Sequence, residues 1–182
     1  EEVIGRVPQG TAADVDAAVA AAKAAFDGWS QTPTDVRAKY LRDIGGALAL
    51  RFDDIVDVIT SEVGSPKTFA QLVQAGLSLG EWESFAQLVE GYEFEEQLGN
   101  SLVVREPIGV VVMVTPWNWP HDQIAWKGAP AIAAGCTMIV KPAAETPLTM
   151  LLLGLVFADA GLPAGVLSIL PATDAAGLTG PL

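Results

Sequence analysis

Residues 109–114 read Gly-Val-Val-Val-Met-Val, a continuous apolar run that is rich in β-branched side chains. A run of this length without polar alternation is typical of a strand that is buried on both faces of a parallel sheet. Residues 137–140 and 166–170 have the same character. We therefore expect these three runs to be strands of one parallel sheet.

Two segments with helical character separate the three runs. The first covers about residues 120–134 and is followed by Gly135, and the second begins at Pro147 and runs to about residue 159. Proline suits the first turn of a helix, and glycine is common just past its end. Strand, helix, strand, helix, strand at this spacing predicts an α/β fold with a parallel sheet and right-handed crossovers.

The first hundred residues predict one helix after another, followed by a short strand at residues 102–104. Apolar side chains recur there at helical spacing, between breaks that contain glycine or proline. The predicted helices run from a capping box at Thr11 and Asp14 to Phe26, with Gly28 as the end; from Pro33 through Leu41 and Leu48; over 52–63, with Gly64 as the end; and over about 65–89.

The chain is strongly acidic, with 22 acidic and 10 basic residues and a formal net charge of −12. Binding to nucleic acid requires clustered lysines and arginines that neutralise phosphates, so this composition argues against a nucleic-acid partner. The same charge repels an anionic membrane surface. Between Lys67 and Arg105 there is no basic residue, and a solvated acidic face, rather than a cation site, is predicted from Glu81, Glu83, Glu90, Glu93, Glu95 and Glu96.

The single cysteine, Cys136, and the single histidine, His121, exclude an intrachain disulfide and a zinc site built from these ligands. We therefore expect a reducing compartment and no metal site. The longest apolar run, residues 148–158, is too short to span a bilayer. The first residues lack the features of a signal peptide, so we expect a cytoplasmic protein that does not bind membranes.

Two polar loops directly follow the first two predicted strands. They read Thr115-Pro116-Trp117-Asn118-Trp119-Pro120 and Lys141-Pro142-Ala143-Ala144-Glu145-Thr146-Pro147. Ligands of open α/β sheets bind beyond the carboxyl ends of the strands, and proline stiffens both loops. Their chemistry alone leaves two interpretations open, a ligand site and a pair of rigid turns. Under both interpretations, Asn118 and Lys141 are predicted to face one common cleft.

These motifs resemble those of the NAD(P)-dependent aldehyde dehydrogenase family. The resemblance runs from the first residues to about Leu170, and the order and spacing of the motifs match. It is carried by Arg105-Glu106-Pro107-Ile108-Gly109-Val110, Thr115-Pro116-Trp117-Asn118, Lys127-Gly128-Ala129-Pro130-Ala131, Ala133-Ala134-Gly135-Cys136-Thr137, Lys141-Pro142, Thr146-Pro147 and Ala160-Gly161-Leu162-Pro163-Ala164-Gly165.

The resemblance implies a truncated aldehyde dehydrogenase fold in two sections. These are an N-terminal helical section over 1–100 and, over 101–182, the first strands of a Rossmann-like dinucleotide-binding sheet, with the domain of the catalytic cysteine absent. It also implies oxidation of an aldehyde to a carboxylic acid with NAD or NADP, and a homo-oligomer or a partner chain. We further expect a truncated sheet to expose apolar surface and to associate. A non-catalytic nucleotide- or partner-binding module, half of a split enzyme and an inert gene product remain alternatives.

The resemblance also implies roles for individual residues. Asn118 matches the amide that donates to the oxyanion, and Lys127 matches a lysine that relays protons in some members, although a structural ion pair explains it equally well. Lys141 matches the lysine that binds the adenosine ribose. The matches to the cofactor-binding residues are Thr115, Pro116, Trp117, Lys141, Pro142, Ala143 and Ala144.

Several residues depart from the family pattern. Ala144 stands where the family commonly has a glutamate, with Glu145 one place later, which weakens selection for NAD over NADP. The glycine motif for the pyrophosphate is missing, and Leu178-Thr179-Gly180 is only a faint echo of it. Cys136 precedes a buried strand and is not interpreted as the nucleophile, and His121 is assigned a packing or surface role.

Overall fold

The computed structural model describes residues 3–173 and residue 178. Most of the echo at 178–180 therefore lies outside the described residues, and so does most of the tail at 171–182, whose small residues favour a loop. The elements are α1 (Ala12–Ser30), α2 (Thr34–Leu50), α3 (Phe52–Val63), α4 (Lys67–Phe69), a π-helical segment (Ala70–Ala75), α5 (Gly76–Glu90), β1 (Glu95–Leu98), β2 (Ser101–Val104), β3 (Val110–Val114), α6 (Pro120–Ala134), β4 (Thr137–Lys141), α7 (Pro147–Asp159) and β5 (Leu167–Ile169).

Helix α1 begins at the predicted capping box but ends later than predicted. The Thr11 hydroxyl accepts a hydrogen bond from the Asp14 amide, and the Asp14 carboxylate accepts one from the Thr11 amide. The predicted end at Gly28 is wrong, since the helix continues to Ser30. Trp29 explains the extension, because its ring is buried and its Nε1 donates to the Cys136 carbonyl at 3.0 Å. Tertiary burial thus overrides the local glycine signal.

Other predicted helix ends are confirmed. Gly64 follows α3 with φ 72°, and Gly135 follows α6 with φ 86°, both in the left-handed region that favours glycine. The predicted helix over 65–89 is interrupted, because the π-helical segment lies between α4 and α5. Such segments carry one extra residue per turn and recur at functional sites.

The three predicted strands form a parallel sheet in the order β3-β4-β5, as expected. Strand β4 is buried along its whole length. The prediction that β3 is buried on both faces is wrong, because Val112 is 38% exposed and Val114 is 56% exposed. Within the described residues β3 pairs with β4 alone, so it is an edge strand, and a continuous apolar run does not distinguish an edge from a centre.

Helices pack on both faces of the central strand, β4. Ile139 of β4 packs with Val15, Ala18 and Ala22 of α1. Its neighbours Met138 and Val140 join the larger core formed with helices α2, α5, α6 and α7. Because side chains alternate along a strand, α1 lies on the face opposite to that core. The larger core contains residues of both predicted sections, 1–100 and 101–182.

Part of the predicted acidic face is a strand. Glu95 and Glu96 belong to β1, which pairs antiparallel with β2 in a hairpin that the sequence predicted only in its second half. The acidic residues are mostly exposed but several are paired, since Arg42 bridges Glu83 and Glu90. Each helix in the described part of the chain is too short or too polar to span a lipid bilayer.

Candidate functional site

The two polar loops leave the same edge of the sheet from neighbouring strands. Val114 and Lys141, the last residues of β3 and β4, are partners in the parallel register. The Thr115 amide then donates to the Lys141 carbonyl at 3.1 Å and extends the ladder by one bond. Residues 115–119, which we call the Asn118 loop, and residues 142–146, which we call the Lys141 loop, therefore begin side by side.

Lys141 is a buried cation. Only 3% of its surface is exposed, and no hydrogen bond or ion pair holds its ammonium group within the described residues. Its Nζ is not among the fully enclosed, unpartnered atoms of the described residues, so the ammonium borders the outside of the fold, where a ligand can supply its partner. Thr115 beside it is also buried, and its hydroxyl has no partner in the described part of the chain. Both groups suit a ligand that offers hydroxyl or phosphate oxygens.

The Asn118 loop is anchored at its ends and open at its tip. Thr115 is buried, and the ring of Trp119 packs edge-on against Phe69, with the centroids 5.8 Å apart. Between them Trp117 and Asn118 are exposed. Asn118 therefore lies at the exposed tip of a loop whose ends are held by the burial of Thr115 and the packing of Trp119, and the predicted cleft that it shares with Lys141 stays a prediction.

Gln74 supports the backbone of Asn118 from below. It lies in the π-helical segment and is 4% exposed. Its Nε2 is 3.4 Å from the Asn118 carbonyl and 3.5 Å from Ser65 Oγ, and its Oε1 is buried without a partner in the described residues. Next to it, the Ser78 hydroxyl donates to the Gln74 carbonyl at 2.9 Å, and Ser78 Oγ lies 3.2 Å from Asp122 Oδ1 in the first turn of α6. A layer of polar side chains thus underlies the loop.

His121 follows the Asn118 loop and has a packing position. It is fully buried, and neither ring nitrogen has a partner in the part of the chain that the structure describes. Burial lowers the pKa of its imidazole from 6.5 to about 4, because the charged form loses its hydration. His121 is therefore neutral at pH 7.

The Lys141 loop is fixed at its far end by Glu62, which lies in the last turn of α3. Its carboxylate accepts hydrogen bonds from the Leu148 amide at 2.5 Å, the Thr149 amide at 2.8 Å and the Thr149 hydroxyl at 2.7 Å. Within the loop Pro142 is buried, whereas Ala144 and Glu145 are exposed. The Thr146 amide is 3.4 Å from the Ala143 carbonyl. The loop is therefore held at its two ends more firmly than in its middle.

The sequence profile described as the aldehyde dehydrogenase family matches residues 1–179. The chain belongs to the aldehyde dehydrogenase family. A 3-succinoylsemialdehyde-pyridine dehydrogenase from a Pseudomonas species is 44% identical over 183 residues, which cover 100% of this chain and 38% of that protein. The chain thus spans about 38% of the length of this curated relative.

Solved aldehyde dehydrogenases have the same fold over this span. Aldehyde dehydrogenase C from Pseudomonas syringae, a variant solved with NAD+ and octanal, is 43% identical with a TM-score of 0.92, over 94% of this chain and 36% of that one. An aldehyde dehydrogenase from Mycobacterium tuberculosis, solved with NAD+, is 43% identical with a TM-score of 0.89, over 93% of this chain and 36% of that one. The expected aldehyde dehydrogenase fold is confirmed.

Lys127 lies apart from the two loops of this aldehyde dehydrogenase chain. It is exposed on α6, and its Nζ contacts Oε1 of the neutral Gln123. Seven residues separate it from Pro120 at the start of the helix, which corresponds to about 10 Å along the helix axis. The structure shows no ion pair of Lys127 within the described residues, and its role in proton relay stays a prediction.

Cys136 lies at the opposite end of β4 from the cleft. It directly precedes Thr137, is 2% exposed, and its carbonyl accepts from Trp29. Lys141 follows five residues later, so the two are roughly 16 Å apart along an extended strand. A buried thiol at that distance cannot attack a carbonyl carbon held near Asn118. Across the described residues, no group of three His, Cys, Asp or Glu side chains is placed to hold a metal ion.

Sequence reasoning missed Glu62 and Gln74 as parts of the site. Glu62 carried a weak signal, since an acid in the last turn of a helix opposes the helix dipole and so indicates a partner elsewhere. Gln74 carried none, because nothing in the sequence marked the π-helical segment that turns it inward. Both act from helices that precede the sheet, and only the fold brings them to the loops.

Proposed function

We propose that the chain supplies the oxyanion donor and part of the cofactor platform for NAD(P)-dependent oxidation of an aldehyde to a carboxylic acid. The observation that carries the proposal is the Asn118 loop beside the Lys141 loop at the carboxyl ends of two paired parallel strands. The relatives support it, because one was solved with NAD+ and octanal and another with NAD+. Membership in the family supplies the reaction class.

Asn118 is the proposed oxyanion donor. It is exposed at the tip of its loop, and its backbone is fixed by Gln74, so the N–H groups are available without a large reorganisation. A preorganised donor of this kind is worth roughly 10²–10³ in rate, because it stabilises charge that develops only in the transition state. Lys127 is retained as a proposed proton relay, for which its exposed position on α6 gives water access to the side chain.

The cofactor is proposed to lie against Thr115, Pro116 and Trp117 of one loop and Lys141, Pro142, Ala143 and Ala144 of the other. The unpaired ammonium of Lys141 and the unpartnered hydroxyl of Thr115 fit the hydroxyl groups of a ribose. When bound, the nicotinamide accepts the hydride of the aldehyde. Ala144 is exposed and lacks a carboxylate, so nothing at this position repels a 2′-phosphate, and we propose that NADP is accepted beside NAD.

We add three proposals, on the cellular location, the division of the chain into sections and the oligomeric state. The single cysteine fits a reducing compartment, and we propose a cytoplasmic location. The division into a helical section over 1–100 and the start of a dinucleotide-binding domain over 101–182 is retained. We also propose a homo-oligomer or a partner chain, for which the exposed apolar side chains give support.

Calorimetric titration of the chain with NAD+ and with NADP+ tests the cofactor part. We predict that Lys141→Met weakens both affinities by about tenfold, since the ribose loses its charged partner, worth about 1.4 kcal/mol. Lys23→Met is the matched control, because Lys23 is exposed on α1 and its loss changes the net charge equally. Equal affinities in Lys141→Met and wild type would exclude the proposed ribose contact.

A second candidate function is a nucleotide-binding module without catalysis. It is favoured by Cys136, the only thiol of the chain, which is buried at the far end of β4. We predict that the 182-residue chain alone does not convert aldehydes with either cofactor, because its one thiol, that of Cys136, is buried and lies too far from Asn118 to act as the nucleophile. The check is NAD(P)H absorbance in the presence of octanal. Turnover that Cys136→Ala abolishes would refute this prediction.

A further inference from the structure

We propose that Glu62 is a positioning residue for the cofactor: by holding the first turn of α7, it sets the Lys141 loop in its binding conformation. The inference rests on the proposed function, since the loop is there assigned to the cofactor. Glu62 touches neither the loop's cofactor-facing residues nor the reacting atoms. It acts through the helix that follows the loop.

Glu62 replaces the local cap that α7 lacks. The residue before the helix, Thr146, makes no side-chain capping bond, and Pro147 in the first position has no amide hydrogen. The next two amides, of Leu148 and Thr149, both donate to the Glu62 carboxylate. The donors that a local side chain usually satisfies at a helix start are here satisfied by a side chain 86 residues upstream.

The electrostatics of Glu62 point to the same role. An acid in the last turn of α3 lies near the negative end of its own helix dipole, which is unfavourable. The same carboxylate lies at the positive end of α7, which is favourable. The carboxylate of Glu62 is therefore favourable because of its interaction with α7, and not because of its place in α3. The Glu62 carboxylate also occupies the amides of α7 that could otherwise bind an anion. The cofactor phosphates must therefore accept hydrogen bonds from other groups.

Both ends of the Lys141 loop are then fixed. At its start the Lys141 carbonyl accepts from Thr115, and at its end Glu62 holds the residues that follow Pro147. Inside the loop, the single internal backbone bond joins Thr146 and Ala143 at 3.4 Å, which is long. With Glu62 removed, the five residues of the loop would be held at their far end only by the packing of α7 in the core. Their conformation would have to be fixed by the cofactor at the cost of affinity.

A graded set of variants tests the role in the full 182-residue chain. Glu62→Gln keeps one acceptor oxygen, and Glu62→Ala keeps none. Thr149→Val removes only the hydroxyl donor, whereas Thr149→Ser retains it. Asp57→Asn is the matched control, because Asp57 is an exposed carboxylate of the same helix whose partner, Lys67, is not part of the site. The readouts are calorimetric affinity for NAD+, hydrogen–deuterium exchange of residues 143–149, and the melting temperature.

We expect Glu62→Ala to weaken NAD+ binding about tenfold, and Glu62→Gln and Thr149→Val less. Exchange of residues 143–149 should accelerate in these variants while α1 exchanges as in wild type. Thr149→Ser and Asp57→Asn should match wild type in both readouts. If Glu62→Ala fails to fold, Thr149→Val decides, since it leaves the carboxylate in place.

Two results would overturn the positioning role alone. One is wild-type affinity in Glu62→Ala or, where that variant does not fold, in Thr149→Val. The other is an equal loss of affinity in Asp57→Asn. Failure of the proposed function looks different. Wild type would then bind neither NAD+ nor NADP+, and the positioning role would be overturned together with the cofactor site.

Discussion

At the scale of single residues, four of the seven buried side-chain atoms without a partner in the described residues lie in or beside the Asn118 loop. Gln74 Oε1, Thr115 Oγ1 and both ring nitrogens of His121 are buried without a partner in the described residues. Each such atom costs free energy of folding, on the order of 1–3 kcal/mol. Three residues of this kind within or against one loop indicate that stability is given up there for another purpose. Thr115 belongs to the proposed cofactor platform and Gln74 supports the backbone of Asn118, whereas His121 has a packing position.

His121 makes the free energy of unfolding depend on pH. Its pKa is lowered to about 4 in the folded protein, from 6.5. Because the folded pKa lies below the unfolded value, the unfolded chain binds the extra proton between these two pH values, and stability falls as pH falls through this window. We predict that His121 contributes a loss of about 2 kcal/mol in the free energy of unfolding between pH 7 and pH 5.

Urea unfolding of wild type and His121→Leu at both pH values measures this contribution. The variant has no group that titrates at this position, so its stability should fall less between pH 7 and pH 5 than that of wild type. The comparison cancels the carboxylates, such as Asp14, whose pKa is lowered by its hydrogen bonds with Thr11. An identical loss in both proteins would show that His121 is not buried as a neutral ring.

At the scale of elements, the turn from α6 into β4 places the second strand of the site. Gly135 has φ 86°, and a Cβ built on it would lie 2.6 Å from Arg37 Nη1, a buried guanidinium over the Phe94 ring. We predict that Gly135→Ala lowers the free energy of unfolding by about 2–3 kcal/mol, from left-handed strain plus the clash.

Gly161→Ala is the control for the clash. Gly161 has φ 75°, with nothing within 4 Å of a built Cβ, so it carries the strain alone, about 1–2 kcal/mol. Chemical denaturation of both variants gives the difference. Equal losses would mean that the Arg37 side chain moves aside freely.

A helix boundary could be predicted from the sequence where the residues that cause it are close to it along the chain. Gly64, Gly135 and the Thr11 capping box act within a few residues, and the helix boundaries they set were predicted correctly. The extension of α1 past Gly28 depends on Trp29 reaching Cys136, which is more than a hundred residues away. The two loops of the site follow predicted strands and were found. Their supports, Gln74 and Glu62, act across the fold, and no local pattern reveals them.

At the scale of the whole molecule, apolar surface and an open sheet edge coincide. Ile108 is 88% exposed. Ile108 precedes β3, on which Val112 and Val114 are exposed, and Trp117, which is 51% exposed, follows it. Within the described residues, β3 also has no second neighbour, so its outer N–H and C=O groups are free to pair.

We predict that the 182-residue chain self-associates through this edge, because an edge strand with exposed apolar side chains pairs with another chain. The net charge of −12 opposes association only partly, since exposed charges are screened within roughly 8–10 Å at physiological salt. Light scattering at several concentrations should show growth in mass. Val114→Lys should reduce it, because a lysine on an edge strand disfavours pairing. Leu50→Lys, which adds the same charge on α2 away from β3, should leave it unchanged. A monomer at every concentration, or equal effects of both lysines, would mean that the β3 edge is not the contact.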